Sequence, residues 1–379
     1  MSILSWVSLA LVGYVAVSFL WYLKAGLWVK VGLLVFFVLI SQKFTFYALF
    51  GGQMFNPDLP KNLLVFGESL YNILLVLVPI LVLKDAGFWL MKLAAAVSGK
   101  PLGWIFSTDA AKWAILAFAT VGGIYGTYAA LKVPDVRHVE IRLERLDPAF
   151  DGYRIVQMAD LHVGQLIRRP WLEVVVNKAN SLKPDLILLT GDMIEGSVSE
   201  LSKEVKAYGK LRAEDGVFGV TGNHEYYHGH EAWIQYFENH GIEMLENRHH
   251  VVSRGDANLI IAGTRDRSAA RFGAADGPNL VAALKGAPEG AVILMAHQPK
   301  GAKELQGVDL QLSGHTHGGL YLLLQPLIAY FNDGFVDGLY RATSRAQIYV
   351  SPGTGLWTGM SLRLGVPSEI TEITLRSAR

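Results

Sequence analysis

Hydrophobic positions follow two different patterns along this chain. Up to residue 131 they come in long runs. Ile3–Leu23 holds 21 residues and Trp113–Leu131 holds 19, neither with a charge. Runs of that length cross the hydrocarbon core of a bilayer as helices. Val31–Phe50 is mostly apolar but carries Gln42 and Lys43, and Leu63–Leu83 is apolar apart from Glu68 and Asn72. Both are read as further spans, so residues 1–132 form a four-helix transmembrane domain. Four spans put the N-terminus and the rest of the chain on one side. Ala86–Ser98 is too short to span and reads as a separate interfacial helix. Trp6, Trp21, Tyr22, Trp28, Trp104 and Trp113 lie mostly near span ends, as an aromatic belt does. A cleaved signal peptide is the other reading of the first run, but no Lys or Arg precedes its apolar stretch. Lys43 and Glu68 are costly at membrane depth. Lys43 is expected to snorkel from a helix end and Glu68 to sit near an interface.

After Val133-Pro134-Asp135 short β-type runs alternate with helical spacing. Strands are predicted at His138–Leu143, Tyr153–Ala159, Asp185–Thr190, Gly216–Thr221, Leu259–Ala262, Ala291–Ala296, Leu310–Leu312, Gln347–Ser351 and Glu369–Leu375. Pro170–Leu182 and Glu231–His240 have helical spacing. Such alternation implies an α/β domain over 133–379, with packed sheets and helices outside. Arg265–Pro288 is the least patterned stretch and reads as a surface insertion.

Composition sharpens this division. The 379 residues are 51% hydrophobic, with a mean hydropathy of +0.29, too apolar for an ordinary soluble enzyme. Lys plus Arg is 34 against 33 for Asp plus Glu, so no strong field draws nucleic acid. The absence of cysteine excludes disulfides, thiolate metal sites and cysteine nucleophiles. The Lys/Arg bias that normally sets membrane orientation gives no decision. Five (Lys61, Lys132, Arg137, Arg142, Arg145) lie on the side of the second domain, and six (Lys24, Lys30, Lys84, Lys92, Lys100, Lys112) on the other.

The candidate chemistry lies in five short motifs. They are Asp160-Leu-His162, Gly191-Asp192, Gly222-Asn223-His224-Glu225, His297 after an apolar run, and Gly314-His315-Thr-His317-Gly-Gly319. Each follows a predicted strand, where loops of α/β folds converge on ligands. The donors are nitrogen and oxygen, the types that bind Mn, Fe or Zn. Phosphoester hydrolysis needs charge on the phosphoryl oxygens and a deprotonated water, and two metals about 3.5–4 Å apart supply both.

The ordered set resembles the calcineurin-like metallophosphoesterase superfamily over roughly residues 150–375. Tyr226-Tyr227, Phe335–Tyr340 and Tyr349-Val-Ser-Pro-Gly353…Arg363…Pro367-Ser-Glu369-Ile370 resemble its membrane-associated phosphohydrolase branch. The resemblance implies a sandwich of two sheets flanked by helices. It also implies two divalent metals, of which Mn is favoured over Fe and Zn, and a metal-bridging hydroxide as nucleophile. In that scheme Asp160, His162 and His317 hold one ion, Asp192 bridges, and Asn223, His297 and His315 complete the ligands of the second ion. His224 points at the phosphoryl group or leaving oxygen as catalytic residue, and Glu225 orients its neighbours. Arg168, Arg265, Arg267 and Phe335 are candidate substrate contacts.

Four spans exceed what a tether needs, so the substrate is expected to be lipid-linked, carrying a phosphodiester or pyrophosphate. A related branch cleaves the pyrophosphate of a UDP-linked diacylated glucosamine, which points to the cytoplasmic side of a bacterial inner membrane. The alternative is a soluble substrate, with residues 1–132 as anchor, sensor or partner-binding module. Phe331–Tyr340 (FNDGFVDGLY) and the 265–288 insertion are expected to line a path to lipid, with the site mouth facing the bilayer. No oligomeric state is implied.

Overall fold

The computed structural model describes residues 2–99, 108–273 and 276–378. The expected belt residue Trp104, the counted Lys100 and two positions of the 265–288 insertion lie outside them. The chain forms two compact units. One is Met1–Ala129 together with Thr358–Leu362, and the other is Ala130–Trp357 with Arg363–Arg379.

The first unit is helical. α1 (Ile3–Val15) runs on through a π-helical stretch, Ala16–Leu20. α2 (Leu27–Ser41) and α3 (Lys43–Gly51) are bent by 51° at Gln42, so the second apolar run is a broken element. α4 (Lys61–Ser98) is one helix of 38 residues and α5 (Asp109–Leu131) one of 23. Among the described residues, three helices are long and apolar enough to cross a membrane, or four if the bent pair counts as one. The separate interfacial helix expected at Ala86–Ser98 is corrected: it continues α4 without a break. Lys84-Asp85 reads as a span end in sequence, but α1 and its extension satisfy the charges. Tyr14 donates to Asp85 Oδ2 at 2.8 Å, Ser18 Oγ donates to the same atom, and Lys84 Nζ donates to the Ser18 carbonyl at 3.0 Å. Lys43 and Glu68 are corrected too. Lys43 does not extend into solvent; it and Glu68 form a buried ion pair at 3.1 Å.

The second unit holds two six-stranded sheets. Its strands are β1 (Asp135–Leu143), β2 (Arg154–Met158), β3 (Leu186–Thr190), β4 (Val217–Val220), β5 (Glu243–Met244) and β6 (Arg248–Arg254). There follow β7 (Ala257–Gly263), β8 (Ala291–Met295), β9 (Leu310–Ser313), β10 (Gly338–Arg341), β11 (Gln347–Val350) and β12 (Glu369–Ser377). The orders are β1-β12-β2-β3-β4-β5 and β10-β11-β9-β8-β7-β6. β2 to β5 are parallel, as are β7, β8, β9 and β11. β5, β6 and β10 escape a reading of hydrophobic pattern. β5 has two residues, β6 (RHHVVSR) has only one valine on each face, and β10 sits in a glycine-rich segment.

Period-2 alternation explains the layers. Ile155, Leu186 and Leu188 face the second sheet's Ile261, Ile293 and Leu312 in the central core. Val156, Ile187 and Leu189 face the other way, under Leu172, Val175 and Val176 of α6 (Arg169–Ser181). Three short helices follow on that side: α7 (Val198–Leu201), α8 (Asn223–Tyr227) and α9 (His230–Glu238). Trp233 and Phe237 of α9 join the same outer core. With both faces buried, the central strands are mostly apolar and hold their C-terminal loops.

Phe335 needs a correction. It is 4% exposed and packs on Ala302, Ile348 and Val350, with Tyr340 in edge contact at 5.4 Å. Pairing of β10 with β11 lays this residue over the sheet edge, so it is a core side chain and not a substrate contact. Tyr330 and Phe331 remain exposed. Phe335→Ala should cost about 3 kcal/mol of stability, the usual cost of emptying a buried aromatic site. A lowered thermal midpoint with equal losses on all substrates is expected, and an unchanged midpoint would return Phe335 to the surface.

Candidate metal centre

The five motifs follow β2, β3, β4, β8 and β9, and backbone bonds stitch their loops together. Asp160 N donates to Gly191 O and His162 N to Asp192 O, each at 3.0 Å, while Gly314 N donates to His297 O at 2.9 Å. Nine non-glycine residues among those described have positive φ, and five of them are Asp160, His162, Asp192, His315 and His317. Left-handed backbone is unfavourable for such residues, and its clustering marks a site whose geometry is enforced by its surroundings. Two glycines allow the close approach. A Cβ at Gly222 would lie 2.2 Å from Asp192 Oδ1, and one at Gly314 would lie 2.4 Å from Asp160 Oδ2.

Among the described residues the side chains converge into three donor groups, Asp160/His162/His317, Asp192/His297/His315 and, sharing His162, His162/Glu195/His224. His162 Nε2 stands 3.9 Å from Asp160 Oδ1 and 3.8 Å from Asp192 Oδ2. His317 Nε2 is 3.8 Å from Asp160 Oδ1, and His297 Nε2 is 3.1 Å from Asp192 Oδ2. Ligands about 2.0–2.2 Å from one ion stand roughly 3–3.5 Å apart, so most gaps are slightly wider than a filled shell. Nε2 of His162, Nε2 of His297 and Oδ1 of Asn223 are buried with no hydrogen-bond partner. Buried polar atoms are nearly always satisfied, so orphans gathered at one point fit a cation. The other ring nitrogens are engaged: His162 Nδ1 meets Glu195 Oε1 at 2.6 Å, and His297 Nδ1 meets the Thr190 carbonyl at 2.9 Å. That pattern leaves each Nε2 lone pair for a metal.

The electrostatics agree. Burial lowers His315 to about 4 with help from His297, and burial holds His317 well below the usual imidazole range. Both are neutral at pH 7, the form that ligates metal. His297 is held high, because Asp192 outweighs its burial; an ion between them would take the place of that proton. Asp160 is pushed up by burial and by Asp192, so a cation relieves repulsion between the two carboxylates.

Two glutamates build the frame. Glu225 accepts from Gly222 N at 2.7 Å, Asp192 N at 3.0 Å and Met193 N at 2.7 Å, tying the Gly-Asp turn to the start of α8. Glu195, absent from the motif reading, is fully buried. Its Oε1 lies 2.6 Å from His162 Nδ1 and 2.7 Å from His224 Nδ1, and His228 lies 3.6 Å from Oε2. Burial pushes this carboxyl up, but His224, His162 and His228 outweigh it and hold it well below the usual range. An acid three residues after Asp192 was its only signal in the sequence. His224 also donates its backbone N–H to Asp192 Oδ1 at 2.8 Å, and its Nε2 stands 3.8 Å from Asp192 Oδ2.

The arginines are placed less decisively. Arg168 is engaged with the carbonyl and side chain of Gln165. Arg265 lies 3.6 Å from Glu246, and Arg267 donates to the Lys300 carbonyl at 3.4 Å. Both line a cavity of about 280 Å³ that reaches His297. Arg363, fully buried, donates to the carbonyls of His317, Pro352 and Gly355 at 2.9, 2.6 and 3.0 Å.

A family profile described as calcineurin-like phosphoesterase matches residues 153–319. The Bacillus subtilis metallophosphoesterase YkuE is 30% identical over 268 residues, 68% of this chain and 92% of that protein. The chain belongs to the calcineurin-like phosphoesterase family. A zebrafish (Danio rerio) relative, "transmembrane protein with metallophosphoesterase domain", is 36% identical over 273 residues, 69% of this chain and 62% of that one. A Helicobacter pylori metallophosphoesterase is 35% identical over 257 residues, 66% of each. The chain thus spans about three fifths of the zebrafish relative's length. Calcineurin-like phosphoesterases use divalent metals, and the donor set above suits them. Transmembrane relatives and the chain's own apolar helices together mark a membrane protein.

Two outcomes check this centre. EDTA should lower the thermal midpoint and added Mn²⁺ should restore it, since ions bound only to the folded state stabilise it; a midpoint indifferent to both would exclude a resident metal. Glu195→Gln should weaken metal retention or turnover about 10–100-fold, read by metal titration, whereas wild-type behaviour would leave Glu195 without a part in the site.

Proposed function

We propose that the chain is an integral membrane phosphoesterase with a dinuclear metal centre, cleaving a phosphodiester or pyrophosphate bond of a lipid-linked substrate. The observation that carries this is the pair of donor groups Asp160/His162/His317 and Asp192/His297/His315, buried except for a half-buried His315, with the unpartnered nitrogens of His162 and His297. Asp192 lies within 3.8 Å of His162, His224 and His297, as suits a carboxylate shared between two ions. Bound ions would supply Lewis acidity to the phosphoryl oxygens and a deprotonated water at neutral pH.

The protein's own part is positioning and proton transfer. His224 meets Glu195 through Nδ1, which leaves Nε2 to face the reacting group. Burial opposes the charged imidazole, but Glu195 and Asp192 outweigh it and raise His224 to about 9. A protonated Nε2 can therefore give its proton to the leaving oxygen as the P–O bond breaks. Water adds to phosphorus, and no covalent enzyme intermediate forms. Arg265 and Arg267 line the cavity beside His297 and are the candidates for a second phosphate. Lipid linkage is supported by apolar helices that exceed a single tether. We place the protein in a bacterial inner membrane with this site on the cytoplasmic side, which protease accessibility in inverted vesicles would test.

Activity of the purified full chain on three probes tests the reading: a bis-nitrophenyl diester, a UDP-linked diacyl glucosamine and a water-soluble nucleotide sugar. Greater turnover on the acylated pyrophosphate supports lipid linkage. Equal turnover with and without acyl chains favours the soluble-substrate reading, and no hydrolysis of any probe rejects the function. His224→Ala should lower turnover about 10²–10⁴-fold while metal content by elemental analysis stays near wild type; loss of both metals would make His224 a ligand instead.

A further inference from the structure

The buried Lys43–Glu68 pair does more than satisfy itself. Lys43 Nζ donates to both Glu68 oxygens at 3.1 Å and also to the carbonyls of Gly359 at 3.0 Å and Thr358 at 3.4 Å. Glu68 Oε2 accepts from Ser361 N at 3.4 Å, and Oε1 from the Tyr47 hydroxyl at 3.0 Å. Asn72 Nδ2 donates to the Ser361 carbonyl at 2.7 Å and to Thr127 Oγ1 at 2.8 Å. Three side chains from α3 and α4 thus satisfy four backbone groups of one irregular five-residue segment. Irregular backbone packed among membrane-type helices is tolerated only where protein supplies its partners. By compactness Thr358–Leu362 belongs to the helical unit, although the chain on both sides belongs to the other.

The two flanking residues are the point. Trp357, immediately before the segment, sets its ring 5.9 Å from the His224 ring. Arg363, immediately after it, holds the carbonyl of His317 and that of Gly355, whose own N–H donates to Asp160 O at 3.0 Å. Residues 358–362 are thus joined covalently at each end to a residue that packs on the site.

We propose that Lys43 and Glu68 are positioning residues for hydrolysis. They clamp Thr358–Leu362, and that clamp sets Trp357 against His224 and Arg363 beneath His317. The inference rests on the phosphoesterase reading for its effect on rate. It explains why an ammonium and a carboxylate, expensive in this environment, face a loop of the chain and not solvent.

The test uses the full chain in nanodiscs, with Lys43→Met, Glu68→Gln, Trp357→Ala and Trp357→Phe. Hydrogen exchange should rise in Lys43→Met and Glu68→Gln over residues 355–364 and also over 314–320, with β2, β3 and β8 unchanged. kcat on the chromogenic diester should fall on the order of tenfold, with KM and metal content held. Trp357→Ala, which leaves the ion pair in place, should match that loss, and Trp357→Phe should recover most of it. Lys43→Met combined with Trp357→Ala should lose no more than either alone, the mark of one shared route. Exchange that rises only in 355–364, or losses that multiply, would overturn the inference. So would a global rise in exchange in Glu68→Gln and Lys43→Met beside a silent Trp357→Ala, which makes the pair purely structural. A wild type inactive on the diester would reject the phosphoesterase reading, while the exchange at 314–320 still decides whether the clamp reaches the site.

Discussion

The Asp192 carboxylate is the interaction on which the site depends. It takes the His224 N–H, stands near His162, His224 and His297, and sits on a left-handed residue whose N–H is held by Glu225. No single strand could bring those partners together. The parallel run of β2, β3 and β4 delivers three loops to one edge, and β8 and β9 deliver two more from the second sheet. Backbone bonds between the loops then hold each carboxylate where it faces its neighbours, despite unfavourable φ.

Burying so many charges is costly unless each has a partner. Glu225 meets backbone N–H groups, and Glu195 meets imidazoles. Asp160 accepts the His315 N–H at 3.0 Å. Their donors come from different loops, so each acid also fixes the spacing between segments. Glu195 shows the economy of this. One oxygen lies against both His162 and His224, and so one side chain orients two imidazoles from different loops.

The helical unit applies the same rule in another solvent. Lys43 and Glu68 neutralise each other, and their remaining capacity goes to backbone groups of Thr358–Leu362. Rings of Phe44 and Tyr71 lie 4.6 and 4.3 Å from the ammonium, adding cation–π attraction where water is absent. Asp85 is handled alike, by hydroxyls of Tyr14 and Ser18. Lys43, Glu68, Asn72 and Asp85 each have a partner far away in sequence.

Local signals carried much of this protein. Run length separated membrane-type helices from the α/β part, because a bilayer and a sheet demand different periods. Most strands of the second unit were legible, since a strand buried on both faces must be apolar throughout. The motifs at Asp160, Asp192, Asn223, His297 and His315 were legible too, because metal chemistry restricts residue type and the glycines beside them are forced by close approach. What stayed hidden is what depends on distant partners. Ala86–Ser98 belongs to α4 because α1 satisfies Asp85. Phe335 is core because β10 pairs with β11. Glu195 is part of the site because two histidines from other loops reach it, and Lys43 is buried because Glu68 and the Thr358–Leu362 backbone meet its charge. A sequence states which groups need partners, and only the tertiary structure brings the partners within reach.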